Sequence, residues 1–132
     1  IAGGLGRPEG LNRGYYVRPT IFADVDNTAR INCEEIFGPV MTIMPFDTEE
    51  EAIAIANDTP YGLTNYIQCG DQEQRQRVAR QLRSGMVETN SVGFGMGSPF
   101  GGYKQSGNGR EGGIFGLHEF MEIKAVSCWE DS

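Results

Sequence analysis

The chain has 132 residues, a length that suits one ordinary domain. Its 18 acidic and 11 basic residues give a net charge of −7, which argues against a nucleic-acid surface because phosphate binding requires clustered Lys and Arg. No apolar run approaches the ~20 residues of a membrane span and no signal-peptide pattern is present, so the sequence predicts no membrane partner.

The three cysteines, Cys33, Cys69 and Cys128, have no CxxC spacing, and an odd number cannot form a closed set of disulfides. A reducing cytoplasm is therefore the simplest compartment. No cluster of Cys, His, Asp and Glu has the spacing of a metal site. The chain starts at Ile1 rather than Met, and residues 1–12 are rich in Gly and Pro, so we expect an excised or truncated N terminus.

The first half of the chain alternates strand and helix patterns. Residues 15–25 carry β-branched and aromatic residues on either side of Pro19, which indicates an edge or interrupted strand. Asp26 and Asn27 can cap a short helical turn before Glu34. Residues 40–46 form a mostly apolar run, which predicts a strand covered on both faces.

An amphipathic helix is predicted next, with Asp47 or Thr48 as its N-cap and an acidic first turn. Residues 63–69 and 86–90 are predicted as strands, and between them Gly70 and Asp71 start a helix over residues 72–83. This β-α-β-α-β alternation favours an α/β fold with a parallel sheet, in which ligands bind at the carboxyl ends of strands.

The last third of the chain is dominated by glycine. Residues 91–113 contain nine glycines, which predicts a long loop held by its surroundings. A final helix is predicted within residues 110–120, and residues 119–129 alternate as a terminal strand whose apolar faces require a cover.

Two ordered motifs stand out, CEEIFGPV at residues 33–40 and SPFGGYKQSG at residues 98–107. Both resemble the C-terminal part of the NAD(P)-dependent aldehyde dehydrogenase family, and the resemblance runs from about residue 14 to residue 128. It implies that residues 1–118 belong to the catalytic domain, with the parallel α/β sheet of that domain. It also implies that residues 119–132 are an oligomerisation strand and tail, so that a homo-oligomer is expected, with Trp129 near the contact.

The resemblance further implies that the intact enzyme oxidises an aldehyde to a carboxylate with NAD or NADP as hydride acceptor. In the family, the nucleophilic cysteine, the general-base glutamate and the dinucleotide-binding domain all lie upstream of this window. The missing N-terminal part of the same enzyme is thus an expected partner, and we expect the isolated chain to be inactive. A rival hypothesis is a non-catalytic α/β interaction module that associates through its C-terminal strand.

Glu35 and Phe37 are the candidate cofactor residues. On a helix, Glu34 and Glu35 would point about 100° apart, so only one of them could easily contact a given ligand. The resemblance selects Glu35 as the acceptor of hydrogen bonds from the nicotinamide ribose hydroxyls and places Phe37 beside the nicotinamide. The alternative is that both glutamates are solvated charges and Phe37 belongs to the core.

Phe94 and Phe100 bracket a glycine-rich segment and are the candidate substrate pocket, since such pockets are mainly apolar. Phe100 aligns with the family through SPFGG, whereas the Phe94 loop varies in length within the family and sets substrate preference. The alternative is that both rings pack the loop against the core.

A subgroup resemblance, to the betaine aldehyde dehydrogenases, implies three further roles. Backbone carbonyls of Lys104 and Gly107 would hold a monovalent cation, and Glu111 would belong to a proton relay. An ion pair with a neighbouring Lys or Arg is the alternative for Glu111. Residues 107–112 also spell GxGxxG, but we reject a dinucleotide fingerprint because no apolar strand precedes them.

Two residues resemble catalytic groups by type alone. Cys33 adjoins two carboxylates, which disfavour the thiolate that a nucleophile requires. His118, the single histidine, is expected to be structural and partly exposed.

Overall fold

The computed structural model describes residues 2–128. The chain divides into two compact units, Ile1–Thr59 and Pro60–Ser132. Each unit contains a two-stranded parallel sheet. The predicted α/β class with parallel strands is therefore confirmed.

The first unit has the order β1, α1, β2, α2, namely Thr20–Ala23, Arg30–Cys33, Val40–Ile43 and Glu49–Asn57. β1 pairs with β2 in parallel, with Thr20 opposite Val40. Pro19 lies just before β1, so its missing N–H does not interrupt the ladder. The Thr20 N–H donates to the Pro39 carbonyl at 2.9 Å, which continues the pairing at the strand ends.

The helix α2 begins with a side-chain cap. The Thr48 hydroxyl accepts from the Glu51 N–H at 3.1 Å, and the Glu51 carboxylate accepts from the Asp47 N–H at 2.7 Å. Of the two predicted caps, Thr48 is the one that forms. This reciprocal arrangement satisfies two donors at the helix start.

The predicted cap of the short helix α1 is wrong. Its N-cap is Ala29, which makes no side-chain cap bond. Asp26 is engaged locally instead, because its carboxylate accepts from the hydroxyl and the N–H of Thr28 at 2.6 and 2.7 Å. These two bonds lower the pKa of Asp26.

The second unit has the order β3, α3, β4, a 3₁₀ turn and α4, namely Thr64–Ile67, Gln72–Gln81, Met86–Thr89, Lys104–Ser106 and Gly113–His118. β3 pairs with β4 in parallel. Asp71 caps α3 through bonds from the N–H groups of Glu73 and Gln74 at 2.8 and 3.2 Å. Leu82 and Met86, on either side of the turn into β4, are buried.

The sheet differs from the one predicted. The sequence favoured a single sheet through residues 40–46, 63–69 and 86–90, whereas the observed pairs are β1 with β2 and β3 with β4. The prediction undervalued β1 because Pro19 lies within the residues 15–25 that were considered, although it precedes the strand itself. The two observed pairs each join strands that follow one another along the chain within one unit.

The apolar strand β2 is not covered on both faces by residues 2–128. Met41 is 57% exposed and Ile43 is 48% exposed. Among the described apolar side chains, only Leu82 and Met86 are buried. The apolar composition of a strand indicates that its side chains need to be buried, but it does not indicate which segment packs against them.

The predicted terminal strand is not confirmed. Residues 119–120 form a turn after α4, and residues 121–128 have no strand pairing. A strand requires a partner for its N–H and C=O groups, and none is provided within residues 2–128. Trp129 lies outside the described residues. Among residues 2–128, no helix combines the length and apolar character needed to cross a membrane.

Candidate functional site

The segment 34–39 connects the end of α1 to the start of β2. Glu34 is the C-cap of α1 and has extended backbone angles, φ −109° and ψ 145°. Glu34 and Glu35 thus lie past the end of the helix. The reason is that Gly38 and Pro39 follow too soon for a further helical turn. The comparison of their directions on a helix, made from the sequence, therefore does not apply.

The two adjacent glutamates differ in their surroundings. Glu34 accepts from the Arg30 guanidinium at 2.7 Å, one helical turn away, and this hydrogen bond lowers the pKa of Glu34 and raises that of Arg30. Within residues 2–128, the exposed carboxylate of Glu35 has no hydrogen bond or ion pair. Glu35 is therefore the carboxylate with both oxygens available to hydroxyl donors.

Phe37 has an unusual backbone and an open side chain. Its φ is +51°, in the left-handed region that bulky residues rarely adopt. Its ring is 93% exposed, so Phe37 is not part of a core formed by residues 2–128. Such strained backbone is concentrated at ligand-binding sites, where the surroundings of the complete protein maintain it.

Phe100 and Glu111 are joined by a backbone bridge. The N–H of each residue donates to the carbonyl of the other at 2.7 Å, in an antiparallel bridge. Residues opposite one another in such a pair project their side chains on the same face. Two candidates from different parts of the glycine-rich loop are thereby brought together, which the sequence spacing did not predict.

Arg110 holds the backbone next to this bridge. Its Nη1 donates to the carbonyls of Gly102 and Gly109 at 2.9 and 2.7 Å, and its guanidinium lies 5.4 Å from the centroid of the Tyr103 ring. A Cβ atom on Gly101 would come within 3.0 Å of the Arg110 side chain and closer still to the Gly109 carbonyl. Sequence reasoning missed Arg110, whose only signal is its position beside the loop glycines.

Lys104 and Gly107 begin and follow the 3₁₀ turn. Lys104 has φ +54°, and its carbonyl accepts from the Gly107 N–H at 3.5 Å. The turn is fastened to the start of β3, since Gly62 donates to the Ser106 hydroxyl at 2.9 Å and accepts from the Tyr103 N–H at 2.8 Å. In residues 2–128, no group of three or more His, Cys, Asp and Glu side chains is placed to hold a metal ion.

Phe94 lies in the loop that follows β4 and is 46% exposed, and Phe100 is 51% exposed. Both rings are thus half-covered by the described residues. The candidates occur in both units, with Glu35 and Phe37 in the first and the others in the second.

Neither Cys33 nor His118 has a catalytic partner among residues 2–128. The exposed Cys33 thiol donates to the Asn27 carbonyl at 3.4 Å. His118 is the last residue of α4 and is exposed. All three cysteines are free thiols.

Comparison with known proteins gives a consistent set of relatives. The family model described as "Aldehyde dehydrogenase family" matches residues 1–126. A 3-succinoylsemialdehyde-pyridine dehydrogenase from Pseudomonas sp. is 55% identical over 132 residues, which is 100% of this chain and 28% of that protein.

Two crystal structures of aldehyde dehydrogenases are similar to the chain. The Bartonella henselae structure has a TM-score of 0.93 and 58% identity over 97% of this chain and 27% of its own. A Pseudomonas syringae structure, of a mutant aldehyde dehydrogenase C in complex with NAD+ and octanal, has a TM-score of 0.91 and 50% identity over 95% of this chain and 26% of its own. The chain thus spans little more than a quarter of the length of these relatives.

Proposed function

The chain belongs to the aldehyde dehydrogenase family, and from this premise we propose that the intact protein oxidises an aldehyde to a carboxylate, with NAD or NADP as hydride acceptor. The family predicted from CEEIFGPV and SPFGGYKQSG is thereby confirmed, whereas the betaine aldehyde dehydrogenase subgroup is not shown. The rival hypothesis of a non-catalytic interaction module is not favoured by this membership.

The observation that carries the proposal is the contrast between Glu34 and Glu35. Glu34 is engaged by Arg30, while Glu35 presents an exposed carboxylate next to the exposed ring of Phe37. A carboxylate that only accepts hydrogen bonds suits the two hydroxyls of a ribose, and an aromatic ring suits the face of a nicotinamide. The donor set of this segment therefore fits the nicotinamide-ribose end of NAD or NADP.

When bound, the nicotinamide cofactor supplies a two-electron acceptor for the hydride of the aldehyde. Glu35 would hold the ribose and so orient the ring, and Phe37 would limit its movement. Holding a reactant in one orientation accelerates a reaction because part of the entropic cost of the transition state is met on binding.

For the substrate side, we propose that Phe100 and Phe94 line the aldehyde pocket. The bridge between Phe100 and Glu111 supports a proton relay through Glu111, because it holds a carboxylate on the same face as the pocket ring. The carbonyls of Lys104 and Gly107 remain our proposed ligands for a monovalent cation, since backbone carbonyl oxygens can replace the hydration shell of such an ion.

We place residues 1–118 in the catalytic domain of the intact enzyme and residues 119–132 in an oligomerisation strand and tail. Apolar side chains such as those of Met41 and Ile43 are exposed within residues 2–128. Their exposure supports the proposal that the remainder of the same protein packs over them. Three free thiols support a cytoplasmic location.

The catalytic proposal is tested by assaying the intact protein for aldehyde-dependent reduction of NAD and of NADP. We expect reduction that requires aldehyde and produces an equal amount of carboxylate. The carboxylate measurement is essential, because an alcohol dehydrogenase contaminant would reduce NAD by oxidising any alcohol present in the aldehyde preparation, without forming carboxylate. Reduction without carboxylate, or no reduction with any of a series of aliphatic and aromatic aldehydes, contradicts the proposal.

The oligomer proposal predicts that deletion of residues 122–132 from the intact protein lowers its mass in solution to that of a smaller assembly. The physical reason is that the segment 119–128 has exposed apolar side chains, including Phe120 and Ile123, and no strand partner within residues 2–128. Light scattering coupled to size exclusion measures the change. An unchanged mass after deletion, or a monomer before it, refutes the proposed role of this segment.

A further inference from the structure

Asn90 and Ser91 turn the chain sharply at the carboxyl end of β4. Their φ angles are +50° and +57°, so two successive residues other than glycine adopt the left-handed region. Asn enters this region more readily than most residues because its short polar side chain can hydrogen-bond locally. A double occurrence directly after a strand marks a position that its surroundings hold firmly.

The Asn90 side chain binds both backbone groups of one residue. Its Oδ1 accepts from the Cys69 N–H at 2.9 Å, and its Nδ2 donates to the Cys69 carbonyl at 3.0 Å. The main-chain N–H of Asn90 donates to the Ile67 carbonyl at 2.8 Å. The Cys69 carbonyl also accepts from the Arg75 guanidinium at 2.5 Å, so this peptide is fixed from two sides.

These bonds replace the next step of the β3–β4 ladder. The last strand pair is Ile67 with Thr89, and beyond it the Asn90 amide pairs with Cys69 in place of backbone. The main chain after Asn90 is therefore released from β3 and is able to turn away. A further hydrogen bond, from Gln68 Nε2 to the Ser91 hydroxyl at 2.9 Å, stabilises the same turn.

The loop that leaves this turn has open space around its first two glycines. A Cβ atom added to Gly93 would have no neighbour within 4 Å, and one added to Gly95 would meet only the Ser98 hydroxyl, at 3.9 Å. Residues 93–97 form no helix or strand. At the far end of the loop, the Gly97 carbonyl lies directly against Gly113. The loop is therefore held at Asn90 and at Gly97, and Phe94 lies between these two points, four residues after Asn90.

We propose that Asn90 is a positioning residue for the aldehyde pocket, which aims the loop 91–97 and its Phe94 and so takes part in the discrimination between aldehydes. The inference rests on the proposed function. It adds that the selectivity of the pocket depends on an amide that does not itself contact the substrate.

The test is Asn90→Gly in the intact protein, because glycine retains the left-handed backbone and removes both side-chain bonds. The readout is the ratio of kcat/KM for octanal to kcat/KM for propanal. We expect this ratio to change by about tenfold, since misplacement of a pocket wall by a fraction of an ångström suffices for such an effect. The dissociation constant of NAD is expected to be unchanged.

Two further variants serve as an intermediate case and as a control. Asn90→Asp retains the acceptor for the Cys69 N–H and loses the donor, so its ratio is expected to fall between those of the parent and Asn90→Gly. Asn108→Gly is the matched control, because it removes an exposed Asn from another part of the glycine-rich segment. Its ratio is expected to equal that of the parent.

An unchanged ratio in Asn90→Gly overturns the inference, as does an equal loss for both aldehydes, which would indicate a purely structural role. If Asn90→Gly does not fold, the inference is tested with Gln68→Ala, which removes the hydrogen bond to the Ser91 hydroxyl from an exposed position. A shifted ratio there supports the inference and an unchanged one overturns it. If the parent protein oxidises neither octanal nor propanal, the ratio is taken between two other aldehydes of the series that it does oxidise. A parent protein that oxidises no member of the series overturns the proposed function itself, and the inference fails with it.

Discussion

The isolated 132-residue chain is expected to be inactive with either NAD or NADP. Its rate of aldehyde oxidation is expected to lie about a million times below that of the intact protein. The resemblance to the family implies that the nucleophilic cysteine and the general base lie upstream of this segment. The one thiol beside the cofactor motif, Cys33, donates to a main-chain carbonyl and not to a base. The measurement is carboxylate formation over several aldehydes, at equal molar amounts of chain and intact protein.

A circular dichroism spectrum with a helical signal is needed to establish that the folded chain was assayed. The matched variant is Cys33→Ala, which is expected to leave the trace background unchanged. Turnover that survives repurification and disappears in Cys33→Ala would identify Cys33 as a nucleophile and refute both the expected inactivity and its reason.

Glu35→Gln in the intact protein is expected to lower kcat by about a hundredfold, with little change in the temperature of unfolding. Glutamine has nearly the same shape but replaces one acceptor oxygen by a donor NH₂, so in the proposed site it would no longer accept from both ribose hydroxyls. The fold is expected to tolerate the change because the Glu35 side chain is exposed and makes no hydrogen bond within residues 2–128. Steady-state kinetics with varied NAD and a thermal melt measure the two effects.

Glu34→Gln is the matched control, since it makes the same chemical change one residue away. It breaks the ion pair with Arg30, but both side chains are largely exposed, at 54% and 86%, so solvent already screens most of that attraction. Its kinetic constants are expected to equal those of the parent. Equal kinetic losses in the two variants, or a fall in thermal stability without a kinetic defect in Glu35→Gln, would assign Glu35 a different role.

The local signals in the sequence proved dependable. Thr48 and Asp71 cap the helices that their positions predicted, because a cap needs only a side-chain oxygen and N–H groups two or three residues away. The helices and strands of residues 40–90 were predicted to within a few residues for the same reason. The distinction between Glu34 and Glu35, by contrast, came from the family motif, and the Arg30 contact supplies a physical basis for it.

Local signals also compete, and the sequence does not decide between them. Asp26 was expected to cap α1, but its carboxylate accepts hydrogen bonds from Thr28 instead. Both outcomes use the same side-chain oxygen over almost the same distance along the chain. Small differences in backbone direction select one, and these depend on the path from β1 to β2.

By itself, the amino-acid sequence determined the family, the α/β class, the caps of α2 and α3 and the segments that carry Glu35 and Phe100. The tertiary structure decided which strands pair, that the Phe100 backbone meets Glu111, and that the Asn90 amide binds Cys69 across 21 positions of the chain. The physical reason is range. Caps and periodicity act within one or two turns, whereas a strand edge or a loop glycine accepts many partners, and only the packed chain selects among them.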